Sequence, residues 1–192
     1  MSANDVIIIS PIGDTGIEQI APARKEITRI FGYPTEIVPL IDDLSFAYHA
    51  ERRQFHSTLI LEKLSFLSPP RAVKVLGITR VDLFIPILTH VFGEAQLGGK
   101  SCVVSTYRLK EAAGSFVGGF ELTDRILKEA IHELGHTFKL RHCREKTCIM
   151  HYCRSVTDVD HKSKQLCRYC SVLIEDEKKR LKNRNKTEGN VR

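Results

Sequence analysis

The sequence predicts an α/β fold, a sheet layered with helices in one domain. Short runs rich in Val, Ile and Leu alternate along the chain with segments whose apolar residues recur at helical spacing. The 192 residues suit a single domain, and at that length roughly two thirds of the unfolded surface can be buried, so a full core forms without staples. Hydrophobic residues make up 42% and charged residues 27%, which excludes a disordered chain. The longest apolar runs, such as VIII at 6–9, fall far short of the ~18–20 residues a membrane helix needs.

The elements follow in order. Residues 4–10 read as a strand, ended by Pro11 and Gly13. In 18–31, Ile20, Ile27, Ile30 and Phe31 stand at helical spacing, and Gly32 is the stop signal. Residues 35–41 read as a second strand. Residues 47–67 form a long amphipathic pattern carrying Phe55, Leu59, Leu64 and Phe66, read as one helix closed by Pro69-Pro70. The run 72–85 is a strand with a loop at 79–82, 91–97 a short strand turned by Gly98-Gly99, and 102–107 another strand. Gly114, Gly118 and Gly119 mark a loop. Thr123 or Asp124 then caps a helix that buries Ile126, Leu127, Ala130, Ile131, Leu134 and Phe138. Residues 163–183 are expected to form the last helix. The expected organisation is one domain over 1–192, with a sheet part to about 142, a small part at about 143–183 and a charged tail at 184–192.

The N-terminus lacks the basic start and long apolar stretch of a signal peptide, which points to a cytoplasmic protein. The net charge is +6, and much of the excess lies in EDEKKRLKNRNKTEGNVR, where seven Lys/Arg outnumber four Asp/Glu. A terminal charge run reads as a solvated helix end, so nucleic acid is not an expected partner. No membrane partner is expected, and the chain is taken as a monomer. Six cysteines are present, five of them within 143–170; in a reducing compartment such clustering favours metal over disulfides.

The chemistry lies in HELGHTFKLRHC at 132–143. On a helix, residues four apart share a face, so His132 and His136 can bind one zinc ion. Glu133 lies one step round, close enough to take a proton from a water on the ion and to return it to a leaving amine. His142 follows six residues later; a continuous helix would carry it about 600° round and ~9 Å along, so the helix must break and the chain bend back. Three histidines leave a fourth position open, the arrangement of a catalytic zinc. Met150 can pack as an apolar floor beneath the imidazoles. Cys143-x4-Cys148 and Cys167-x2-Cys170 form a four-thiolate zinc signal. Because Cys143 adjoins His142, and successive side chains of an extended segment point opposite ways, one residue can face each metal.

The three-histidine helix, the following cysteine, Cys148-Ile149-Met150 and the closing Cys167-Arg168-Tyr169-Cys170 resemble archaemetzincin, a branch of the metzincin zinc peptidases. VFGEAQLGG and CVVSTYRL extend the likeness over most of the chain. The resemblance implies a mixed, mostly parallel five-stranded sheet with an active-site helix, a methionine turn and a C-terminal helix. It implies a zinc-dependent metallopeptidase acting on peptide or protein. Glu133 would be the general base, His132, His136 and His142 the catalytic zinc ligands, Met150 the turn methionine, and Cys143, Cys148, Cys167 and Cys170 a structural zinc site, giving two Zn2+ per chain. In metzincins an antiparallel edge strand binds peptide by strand addition, and 91–97 is the segment that would do so here.

The sequence departs from the family at Lys139, where a glycine normally ends the helix; a lysine in the left-handed region costs roughly 1 kcal/mol. Tyr152 gives a Met-x-Tyr sequence as in astacin-type metzincins, whose tyrosine can approach the zinc, but a tyrosine capping the core is the preferred reading. Cys102 and Cys153 read as small buried hydrophobes. The alternative function is a zinc-stabilised, non-catalytic peptide- or protein-binding module, for which Lys139 and the basic tail speak.

Overall fold

The computed structural model describes residues 5–13, 15, 21–110 and 119–189. Five strands form the main sheet: β1 (Val6–Pro11), β2 (Thr35–Ile37), β5 (Ala72–Thr79), β7 (Gly93–Ala95) and β8 (Ser101–Ser105). They lie in the order β2-β1-β5-β8-β7, with all neighbours parallel except β7, which runs antiparallel to β8 at the edge. The mixed, mostly parallel sheet is therefore as expected.

The central strands are apolar without alternation because both faces are covered. Ile7 and Ile9 of β1, Leu76 and Ile78 of β5, and Cys102 and Val104 of β8 enter one core. Ile8, Val75 and Val103 enter the other. Helix α1 (Ala21–Phe31), the long α3 (Gly119–Thr137) and α5 (Arg168–Gly189) contribute to the first core. Helix α2 (Ser57–Leu67) covers the second face with Ile60, Leu61 and Leu64.

The expected helix over 47–67 forms only from Ser57. Its first half is a β-hairpin, β3 (Tyr48–His49) with β4 (Gln54–His56), joined through Arg53 at φ 54°. Here tertiary pairing overrides a pattern that fits a helix. Tyr48 and Phe55 meet across the hairpin, with ring centroids 5.1 Å apart. β4 also pairs in parallel with β6 (Leu83–Phe84), and the Phe55 N–H donates to the Asp82 carbonyl at 2.8 Å. The run 72–85 is correspondingly two strands, β5 and β6, in different sheets.

Helix α3 begins at Gly119, ahead of the expected cap. Asp124 lies inside it and pairs with Lys128 at 3.1 Å and with Lys164. A short helix, α4 (Val156–His161), went unread. Ser155 and Asp158 cap it reciprocally, a Ser-x-x-Asp signal present in the sequence. The last helix starts at Arg168 rather than 163. Residues 18–20, the loop glycines 114 and 118 and the end of the tail at 190–192 lie outside the described residues. No described helix is long and apolar enough to cross a membrane.

The C-terminus of α3 is pinned from below. The buried Lys74 ammonium donates to the Thr137 carbonyl at 2.6 Å and to the Gly99 carbonyl at 2.7 Å. A cation is well placed there, where the helix carbonyls lack intrahelical partners.

Candidate active site and metal centres

Helix α3 stops at Thr137 and the chain reverses at Lys139, which has φ 65°. The reversal has the hydrogen bonds of a Schellman turn. The Lys139 N–H donates to the His136 carbonyl at 2.9 Å, and the Leu140 N–H to the Gly135 carbonyl at 3.0 Å. The Gly98 N–H adds a second bond to the His136 carbonyl, also at 2.9 Å. Lys139 thus occupies the left-handed position that a glycine would take. Its ammonium pairs with the largely buried Glu177 of α5 at 2.9 Å. An ion pair of this kind, with the lysine half exposed, is worth about 0.2–1 kcal/mol, comparable with the strain of roughly 1 kcal/mol. The side chain is held against α5 and does not line the catalytic cleft.

The reversal returns His142 to the two helical histidines. One ring nitrogen from each of His132, His136 and His142 lies within 4.8 Å of the other two. The Nε2 atoms of His132 and His136 are 3.1 Å apart. His132 Nδ1 lies 2.9 Å from the Ile149 carbonyl and His136 Nδ1 2.7 Å from the Leu140 carbonyl. A carbonyl only accepts, so Nδ1 carries the proton in both rings and the Nε2 lone pairs face the shared space. Burial holds His132 well below the usual imidazole range and draws His136 down to about 4; His142 is lowered for the same reason. Neutral imidazoles with converging lone pairs fit a zinc ion.

Met150 lies fully buried beneath this helix. A Cβ at Gly135 would stand 2.5 Å from the Met150 sulfur. The glycine of HELGH is therefore what lets the methionine seat there. Gly93 of the edge strand plays the same part for Glu133, since a Cβ there would stand 2.7 Å from Glu133 Cγ. Glu133 is buried, and its carboxyl is pushed well above the usual range, first by burial and then by the neighbouring Glu129.

The second group lies on the far side of His142. The four sulfurs of Cys143, Cys148, Cys167 and Cys170 fall within 4.8 Å of one another, and none is in a disulfide. Cys143 Sγ and Cys167 Sγ are 3.7 Å apart. Tetrahedral zinc with Zn–S near 2.3 Å requires sulfurs about 3.8 Å apart, so the set fits. The Cys143 N–H donates to the Met150 carbonyl at 2.8 Å, which ties the thiolate group to the methionine turn.

The cleft above the histidines has a volume of about 750 Å³. Segment 85–97, including β7, forms one wall; Arg141, His142, Tyr152, Cys153 and Arg154 form the other. The β3–β4 hairpin braces the first wall. Arg52 donates to the Leu88 and Thr89 carbonyls at 2.9 and 3.0 Å, and Gln54 to Thr89 at 2.9 Å. Tyr152 is half exposed, with its ring 4.9 Å from His142, so it faces the cleft rather than capping the core. Cys153 is partly buried against the main core, as expected, and also lines the cleft; burial raises its thiol to about 11. Cys102 is the buried residue expected.

Sequence reasoning missed Glu129 and Lys162. Glu129 stands one turn before Glu133 on the same face of α3, a spacing that was available. Lys162, beyond α4, carried no signal. They form a fully buried ion pair at 2.7 Å beside the histidines. Burial is the largest single influence on Lys162 and works against its charge, but Glu129, Cys153 and Glu133 together raise the lysine overall.

Known proteins place this geometry in a family. Residues 41–176 match the profile of Peptidase family M54. The chain is 42% identical over 171 residues to the archaemetzincin of Methanocaldococcus jannaschii, spanning 88% of this chain and 93% of that protein. It is 39% identical over 150 residues to that of Archaeoglobus fulgidus, spanning 78% and 87%. The crystal structure of Methanopyrus kandleri archaemetzincin superposes with TM-score 0.82 at 28% identity, covering 93% of this chain and 98% of that one. The A. fulgidus structure, complexed with malonate, gives TM-score 0.73 at 34% identity, covering 87% and 98%.

Two consequences are measurable. Gly135→Ala forces its Cβ onto Met150, so overpacking of about 1–3 kcal/mol outweighs the helix-propensity gain of up to about 1 kcal/mol. Chelator competition should show weaker zinc retention; unchanged retention would mean Met150 yields freely. His136 titrates near 6.5 when unfolded and at about 4 when folded. Between those values the unfolded chain binds the proton and the folded chain does not, so metal-free protein loses stability as pH falls through that window, on the order of 2–3 kcal/mol. Urea unfolding at pH 7 and pH 4.5 measures this, and His136→Gln should shrink the difference, leaving the part due to His132 and His142.

Proposed function

Given that this chain belongs to peptidase family M54 and is a zinc-dependent metallopeptidase of archaemetzincin type, we propose that Glu133 is its general base and His132, His136 and His142 its catalytic metal ligands. The observation that carries this is the convergence of three ring nitrogens within 4.8 Å beside a buried carboxylate at the floor of a cleft. Held by the three imidazoles, zinc would act as a Lewis acid toward the scissile carbonyl and toward water. Glu133 takes a proton from the attacking water and delivers it to the leaving amine. Its raised basicity and its fixed seat against Gly93 suit both steps. Met150 supports the imidazoles from below, and Tyr152 walls the His142 side. The outer edge of β7 has no partner strand among the described residues and can add a substrate strand in extended form.

The reading includes a second, structural zinc on Cys143, Cys148, Cys167 and Cys170, two ions per chain in all. Four clustered thiols suit a reducing compartment, here the cytoplasm. Residues on both sides of position 142 share one core, which favours a single domain with a small zinc-stabilised part at about 143–183. Both metal groups come from one chain, which suits a monomer acting on peptide or protein rather than nucleic acid.

Zinc-replete protein incubated with a diverse peptide library, beside Glu133→Ala, tests the assignment. The variant should lose about 10²–10⁴-fold in kcat/KM while keeping its zinc. Retained cleavage would remove Glu133 from the mechanism. Cys167→Ser should bring zinc content from about two per chain to about one and lower the unfolding temperature. Unchanged content and stability would remove the structural site.

A further inference from the structure

The cleft walls differ in charge. Wall 85–97 presents Ile85, Leu88, Val91 and Leu97, and its one acid, Glu94, accepts hydrogen bonds from Ser57 at 2.5 Å and Thr58 at 2.9 Å. The other acids of the cleft, Glu129 and Glu133, are buried, one paired with Lys162 and the other on the floor. The His142 wall presents Arg141 and Arg154, both exposed. Neither guanidinium has a carboxylate partner among the described residues. Arg154 lies over the Tyr152 ring at 5.9 Å, and that ring is 4.9 Å from His142. Asp158, four residues on from Arg154, accepts instead from the backbone N–H groups of Arg154 and Ser155 through Oδ2, both at 2.9 Å. Arg141 directly precedes His142. Two unpaired cations thus flank one metal-facing histidine, in a concave site that focuses their field.

We propose that this cleft selects peptides with an acidic side chain beside the scissile bond on the His142 side, and that Arg141 and Arg154 select it. The inference rests on the peptidase reading above. A planar guanidinium matches a carboxylate in two-pronged fashion, and a peptide carboxylate supplies the missing counter-charge. Exposed pairs of this kind are individually weak, so two together give a preference of roughly 5- to 10-fold, screened by salt.

The test uses full-length, zinc-replete protein and peptide pairs differing only by Glu or Gln at each position flanking the cleavage site. At one flanking position the Glu peptide should have the higher kcat/KM by roughly 5- to 10-fold, through KM, and the difference should shrink at high ionic strength. Arg141→Gln with Arg154→Gln should bring the pair level, and Arg154→Glu should favour a Lys peptide. The same pairs are bound to zinc-loaded Glu133→Ala, whose affinities report selection independently of turnover. Equal cleavage and equal binding of Glu and Gln peptides by protein with intact arginines would overturn the proposal. A binding preference without cleavage would uphold it and fail the catalytic reading instead. A preference that survives the double arginine variant would also overturn it.

Discussion

The three-histidine site depends on one chain reversal. Three histidines can meet only if the helix carrying two of them ends at once and the chain doubles back. Lys139 makes that reversal in the left-handed conformation, without a glycine. Several contacts hold it there: two Schellman hydrogen bonds, the Gly98 N–H on the His136 carbonyl, Lys74 beneath the helix end and Glu177 on the lysine itself. The turn also supplies chemistry, because the Leu140 carbonyl that it presents fixes the His136 ring. Strain of about 1 kcal/mol is small against this set of contacts.

From the turn, the two metal groups are linked by adjacent residues. His142 faces one and Cys143 the other. The segment returning from Cys148 closes the arrangement, with the Ile149 carbonyl on His132, Met150 under Gly135 and the Met150 carbonyl on Cys143. Loss of geometry at the thiolate cluster is therefore transmitted to the imidazoles through three consecutive residues, 148–150. That coupling gives a physical role to a four-cysteine cluster so close to the three histidines: it holds a loop with little regular structure in place behind them.

Electrostatics divide the site by depth. Glu129 and Glu133 are buried, with Lys162 compensating Glu129 inside the fold, and Glu94 is held by Ser57 and Thr58. Removing one partner of such a pair typically costs 3–5 kcal/mol, so Lys162 is tied to the integrity of the core as much as to the field at Glu133. The exposed charge of the cleft is cationic and confined to the wall beside His142. Substrate backbone and substrate side chains would thus be read by different walls, the edge strand for one and the arginines for the other.

The sequence by itself determined the chemistry. The spacing His132, Glu133, His136, His142 requires a helix followed by a break, and the Cys143–Cys148–Cys167–Cys170 pattern requires a second cluster; both sets come together in the fold. The alternation of apolar runs and helical segments gave the α/β class, because buried parallel strands are recognisable as continuous Val/Ile/Leu runs. Local pattern failed at 47–56, where aromatic pairing across a hairpin and the neighbouring β6 decided the structure against a helical-looking stretch. It also failed for Tyr152, since residue type does not say which side of a turn a side chain takes. Only the tertiary structure turned Lys139 away from the cleft onto Glu177, brought Lys162 to Glu129 and left Arg141 and Arg154 without carboxylate partners. Each of these depends on what lies opposite in space, tens of residues away along the chain, and spacing along one strand or helix carries no information about that.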